Sequence, residues 1–218
     1  MKGKVTPTQR ALNLWAVILI IWAVYRAKFK LPEWFDEFIA KPLVFILPVY
    51  YYIRRVEKKS FFPSVELKFK FTLSDLLISL VIGGIFSFSA ILANVLKFKK
   101  LVFFQQAVNV EMIFVMVLIA VATAISEEIL SRGFILKRLY QESKNIYTSS
   151  FFASILFFFL HVPILFTNFK LTGDQLLLFM GTDLMLSLVN SFVFLDRKNL
   201  LVPILIHAFY NLSIILFV

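Results

Sequence analysis

The chain has 218 residues, of which 60% are hydrophobic and only 17% charged, and its mean hydropathy is +0.86. Soluble domains run at about 45–50% apolar and about 25% charged residues, so a water-soluble globular fold is excluded. The net charge of +10 sits in short clusters between apolar runs, which argues against a nucleic-acid surface, and the absence of cysteine excludes disulfides, thiolate metal sites and a Cys nucleophile.

A membrane-crossing helix needs about 20 mostly apolar residues. The predicted fold is therefore all-α, a polytopic transmembrane bundle of about seven spans, with six or eight as the alternatives. The runs are Leu12–Ala27, Phe38–Ile53, Leu73–Leu96, Ile113–Leu130, Ser150–Phe166, Leu176–Leu195 and Leu200–Val218. Lys2, Lys4 and Arg10 precede the first run, as in a signal peptide. It ends in Tyr25-Arg26-Ala27 instead of a small-x-small cleavage site, so an uncleaved anchor is expected.

Basic residues then set the topology. Placing the N-terminus in the cytoplasm puts Arg54, Arg55, Lys58 and Lys59, then Lys137, Arg138 and Lys144, then Arg197 and Lys198 on the inner side. The outer side keeps fewer, among them Lys97, Lys99, Lys100 and Lys170. That bias favours an N-in orientation in a bacterial cell membrane, with anionic lipid headgroups as partners of the basic loops. Tyr50, Tyr51 and Tyr52 read as an interfacial belt. The stretch from Arg54 to Lys70 is the longest polar loop, and Pro63 is expected to break any helix there. No internal repeat is visible, so residues 1–218 read as one membrane domain, without support for an inverted-repeat transporter.

Ionisable groups inside a span cost about 2.5–3.5 kcal/mol each on insertion scales, so they face the bundle interior. The fourth run closes on Glu127, Glu128, Arg132 and Gly133. Adjacent carboxylates point about 100° apart on a helix, and Glu128 pairs with Arg132 at i,i+4. Glu127 has no partner in its own helix and is expected to be left free. His161 and His207, the two histidines of the chain, fall in the fifth and last runs. Asn211 lies one turn after His207, on its face.

These groups admit two chemistries. Glu127, His161 and His207 can hold a divalent metal, zinc being the natural candidate for N and O donors. Without metal, Glu127 and His161 can activate a water while His207 and Asn211 donate to an oxyanion. A structural polar network joining three helices is the plain alternative. No Gly-x-Ser-x-Gly turn is present. Asp183 and Asn190, seven apart in the sixth run, are candidates to line the same cavity. Phe157–Phe159 is expected to serve packing and lipid contact.

In order along the chain, Glu127-Glu128-xxx-Arg132, Phe157-xxx-His161 and His207-xxx-Asn211 resemble the motifs of the CPBP family. These are the CAAX-protease and bacteriocin-processing (Abi) intramembrane enzymes. The resemblance covers residues 113–218. It implies a membrane endopeptidase, metallo- or glutamic-type, acting on a membrane-associated or C-terminal peptide. In it Glu127 is the base or metal-linked carboxylate and His161 its partner. Glu128 and Arg132 organise the site, and His207 and Asn211 hold the oxyanion or complete a metal site. Bacteriocin self-immunity or a scaffold role independent of proteolysis is the alternative function.

Overall fold

A computed structural model describes residues 5–102, 109–167 and 173–217, and all regular structure among them is helical. The helices are α1 (Pro7–Lys28), α2 (33–56), α3 (Phe61–Ser64), α4 (Leu73–Phe98), α5 (Val110–Ser143), α6 (Ile146–Thr167), α7 (Asp174–Arg197) and α8 (Leu201–Phe217). Lys2, Lys4, Lys170 and Val218, which entered the expectations above, lie outside the described residues. Each of the seven apolar runs is helical. Long, apolar stretches able to cross a membrane lie in α1, α4, α5, α6 and α7. α8 is shorter at 17 residues, and α2 carries Glu33, Asp36, Glu37 and Lys41 in its first half.

Local chemistry places the helix starts. The Thr6 hydroxyl accepts from Gln9 N at 3.1 Å just before Pro7, a cap followed by the residue best suited to the first helical position. Thr72 and Asp75 form a reciprocal capping box at the head of α4. Asn109 caps α5 by accepting from Met112 N at 2.8 Å. In α2, Pro42 and Pro48 lack the N–H that a regular ladder uses, and the helix runs through this region in wide turns bonded five residues back. α5 widens in the same way over Ile129–Leu136, immediately after Glu127 and Glu128.

α8 is central. It packs most extensively on α4 and α5 and also touches α7, while α5 meets α2 and α6 meets both α7 and α1. Glycines permit two of the closest approaches. A Cβ at Gly83 would lie 2.9 Å from Phe209 Cβ, and one at Gly133 would lie 2.9 Å from Val65 Cβ and 3.2 Å from its carbonyl oxygen. On the far side of α4, Leu77, Val81, Ile85 and Phe88 point outward and exposed. An apolar stripe of that length, repeating at helical spacing, suits hydrocarbon and not water.

At one end of the bundle the connections are tied together by charge. Arg138 donates to both oxygens of Glu57 at 3.0 and 2.8 Å, and the Arg138 carbonyl accepts from Thr8 Oγ1 at 3.0 Å. Lys137 donates to Glu66 Oε1 at 2.6 Å, and the Glu66 carbonyl receives Leu200 N at 2.8 Å. The stretch after Arg54 thus folds back onto the helices. Contrary to expectation, Pro63 sits inside a helical turn, α3, which is too short to need the missing donor. The tyrosine belt is split as well: Tyr50 and Tyr51 are exposed, but Tyr52 is buried edge-on to Phe134 at 5.2 Å.

Two outcomes follow for stability. Gly83→Ala and Gly133→Ala should each destabilise the detergent-solubilised protein by about 1–3 kcal/mol, read as a lowered unfolding midpoint. Burial pushes the Glu66 carboxyl up, but hydrogen bonds from Lys137 and Lys68 outweigh it and hold the group below its usual range. A depressed carboxylate contributes stability above its unfolded value of about 4.3 and loses it as pH falls through the lower folded value. Glu66→Gln should therefore narrow the difference in unfolding midpoint between about pH 5 and pH 3, by a small amount because the pair is partly solvated.

Candidate active site

Five helices converge on the polar interior. α5 supplies Glu127 and Glu128, and its widened turn brings Arg132 beneath Glu128, where Nη1 meets Oε1 at 3.0 Å. α7 presents Asp183, Ser187 and Asn190 on one face, at i, i+4 and i+7. Each engages a different neighbour. Asp183 Oδ2 lies 3.5 Å from His161 Nδ1, the Ser187 carbonyl accepts from Arg132 Nη2 at 2.9 Å, and Asn190 Nδ2 donates to Glu128 Oε1 at 3.1 Å. α8 sets His207 Nδ1 at 2.8 Å from the same Glu128 oxygen.

The two imidazoles face the same oxygen. His207 Nδ1 is hydrogen-bonded to Glu128, whereas His161 Nδ1 pairs with the Phe157 carbonyl at 3.3 Å and has Asp183 nearby. Both rings turn Nε2 towards Glu127 Oε2, at 3.5 Å from His161 and 3.7 Å from His207. That oxygen is buried and has no hydrogen-bond partner among the described residues. Phe157 forms the wall between them. Its ring lies 4.7 Å from that of His161 and 5.8 Å from that of His207, with the Arg132 guanidinium 4.5 Å above it. Phe159 faces outward as expected for lipid contact, whereas Phe157 is part of the polar centre.

Glu127 is not free. Its Oε1 accepts from Lys41 Nζ of α2 at 2.8 Å. Lys41 is buried and also meets Glu37 Oε2 at 2.7 Å, and that oxygen in turn accepts from Thr123 Oγ1 at 2.6 Å. Spacing within α5 offers Glu127 no partner because its partner stands on another helix. Glu37 and Lys41 stand at i,i+4 at the head of an apolar run, so the spacing rule that pairs Glu128 with Arg132 covers them too.

The structure brings Glu127, Glu128, Arg132, His161 and His207 into one cluster and adds Lys41, Glu37, Asp183 and Asn190 to it. Asn211 is different. It is half-buried, its Nδ2 has no hydrogen-bond partner among the described residues, and no bond joins it to the cluster.

Charge limits what the cluster can be. Glu37, Glu127, Glu128 and Asp183 are buried carboxylates, balanced by the buried cations Lys41 and Arg132. The remainder is negative, and bare charge in a low-dielectric interior is prohibitive. Protons on the imidazoles or carboxyls, or a dication, must make up the difference. Among the described residues no group of three or more His, Asp or Glu side chains could hold a metal ion as it stands. The donors of the right kind are Glu127 Oε2 and the two Nε2 atoms, with Glu128 behind His207 Nδ1 and the Phe157 carbonyl behind His161 Nδ1, the two kinds of partner that metal-site histidines use.

Residues 109–213 match the family described as type II CAAX prenyl endopeptidase Rce1-like. No curated protein and no solved structure matches the chain. The matched segment opens at the Asn109 cap of α5, ends inside α8, and holds the whole motif series from Glu127 to Asn211. That segment, which carries Glu127, Glu128, Asp183 and both imidazoles of the buried cluster, is thus similar to the Rce1-like type II CAAX prenyl endopeptidases.

Proposed function

We propose that the protein is an intramembrane endopeptidase that hydrolyses a peptide bond of a membrane-associated or C-terminal peptide through a water activated by Glu127. The observation that carries this reading is the convergence of both Nε2 atoms on one unpartnered oxygen, Glu127 Oε2. A water seated against Oε2 gives it a proton as the oxygen attacks the scissile carbonyl carbon. Glu127 then delivers that proton to the leaving amine, so one group serves as base and acid in turn. His161, held at Nδ1 by the Phe157 carbonyl with Asp183 beside it, orients the water. His207, held at Nδ1 by Glu128, donates from Nε2 to the oxyanion when protonated. Asn211 has a buried amide donor to spare for the same oxygen.

Glu128 and Arg132 do not touch the reacting atoms in this scheme. Glu128 Oε1 gathers Arg132, Asn190 and His207 at 3.0, 3.1 and 2.8 Å, so it fixes α5, α7 and α8 in register and aims the His207 ring. The N-terminus faces the cytoplasm in this reading, with the basic loops against anionic headgroups. A prenyl group on the substrate is not assumed.

A metal-assisted version is favoured by the negative charge balance and by the oxygen behind each imidazole, from Glu128 at His207 and from the Phe157 carbonyl at His161. Glu127, His161 and His207 would be its donors. Zinc would supply Lewis-acid polarisation and lower the pKa of a bound water.

One set of measurements tests both versions. Purified protein in proteoliposomes should cleave a quenched peptide library that includes farnesylated and unlipidated C-terminal peptides. His161→Ala and Glu127→Gln should each lower kcat/KM by about 10²–10⁴-fold while the far-UV spectrum and detergent elution volume stay unchanged. Full activity in either variant refutes the peptidase reading. Bacteriocin protection that survives Glu127→Gln favours the immunity role instead. Elemental analysis on the same samples decides the metal: stoichiometric zinc, with activity lost to a chelator and restored by zinc, selects the metal-assisted version.

A further inference from the structure

We propose that Lys41 is a positioning residue for Glu127, so that the reactive centre is completed by a helix outside the family-matched segment. This inference rests on the peptidase reading above. Residues 109–213 carry Glu127, Glu128, Asp183 and the imidazoles, but Lys41 comes from α2, far upstream.

The connection is a closed circuit between two helices. Glu37 and Lys41 stand at i,i+4 on α2, and Thr123 and Glu127 stand at i,i+4 on α5. Thr123 Oγ1 donates to Glu37 Oε2 at 2.6 Å, Lys41 Nζ meets that same oxygen at 2.7 Å, and Lys41 Nζ donates to Glu127 Oε1 at 2.8 Å. Lys41 is 4% exposed and its ammonium lies 6.0 Å from the centre of the Trp22 ring. An ammonium so enclosed has no water to turn to, and its bonds to Glu37 and Glu127 hold it in place.

The consequence lies in the split between the Glu127 oxygens. Oε1 is committed to Lys41, which stops the carboxylate from turning about its terminal torsion. Oε2 is thereby the oxygen left facing His161 and His207. Lys41 also neutralises a carboxylate that would otherwise stand bare beside Glu128 and Asp183. Removing the ammonium should leave substrate binding largely intact and impair the chemical step. That is the signature of a group acting through another and not on substrate.

The test compares Lys41→Met, Lys41→Arg and Glu37→Gln with wild type in the same proteoliposomes. Lys41→Met should lower kcat by about 10²-fold with KM within about twofold. Lys41→Arg, which keeps the charge, should recover at least part of that loss, and Glu37→Gln should cost less than Lys41→Met. A thermal-unfolding cycle gives a readout independent of activity. Lys41→Met should lower the midpoint by about 5 °C or more, because it strands a buried carboxylate, and adding Glu127→Gln should reverse at least half of that drop. Lys41→Met with unchanged kcat, or a cycle in which the two substitutions simply add, overturns the proposal while leaving the peptidase reading intact. A wild-type protein that cleaves nothing sinks that reading and this proposal with it.

Discussion

Carboxylates buried in an apolar bundle must be matched by positive charge or by protons, and the interior of this protein is built around that requirement. Glu128 shows the solution most fully. One of its oxygens collects a guanidinium, an amide and an imidazole from three helices. Removing any of these would leave the others aimed at a charge they no longer balance, so the group behaves as a unit and not as a set of separable pairs. The hydrophobic residues around it supply bulk and lipid compatibility. The polar centre supplies register, because an ion pair in low dielectric tolerates far less displacement than a leucine contact does.

The same constraint explains the wide turns. In α2, Pro42 and Pro48 interrupt the regular ladder and the helix continues through turns bonded five residues back. In α5, the widening at Ile129–Leu136 follows directly on the two acids and carries Arg132. Such turns are costly in isolation and recur at functional sites, where an exact side-chain direction is worth the strain. Here they lie in α2 and α5, the pair that Lys41 and Glu127 lock together.

Much of this was legible in the chain. Apolar runs of near-membrane length located the seven long helices among the described residues, since hydrocarbon forces backbone polar groups to bond within their own segment. The i,i+4 rule found the Glu128–Arg132 pair, and rarity pointed to His161 and His207. Three features escaped for definite reasons. Lys41 was passed over because spacing within α5 cannot reveal a partner on another helix. Phe157 met the expectation of packing, but its place under Arg132 escaped because, with 27 phenylalanines in the chain, the residue type carries no information about which one lies there. Pro63 reads as a breaker, although a single turn makes no use of the donor that proline lacks.

Burial gives the centre a direction. His207 is 2% exposed and His161 15% at their side chains, though both direct Nε2 at the same Glu127 oxygen. Under the peptidase reading a peptide reaching Oε2 would come past His161, with His207 and Glu128 on the sealed side. In that reading this asymmetry divides the work of the two imidazoles. The open one meets water and substrate. The closed one, fixed by Glu128 and walled by Phe157, waits where charge develops, and its dry setting makes each hydrogen bond to that charge stronger than it would be in solvent.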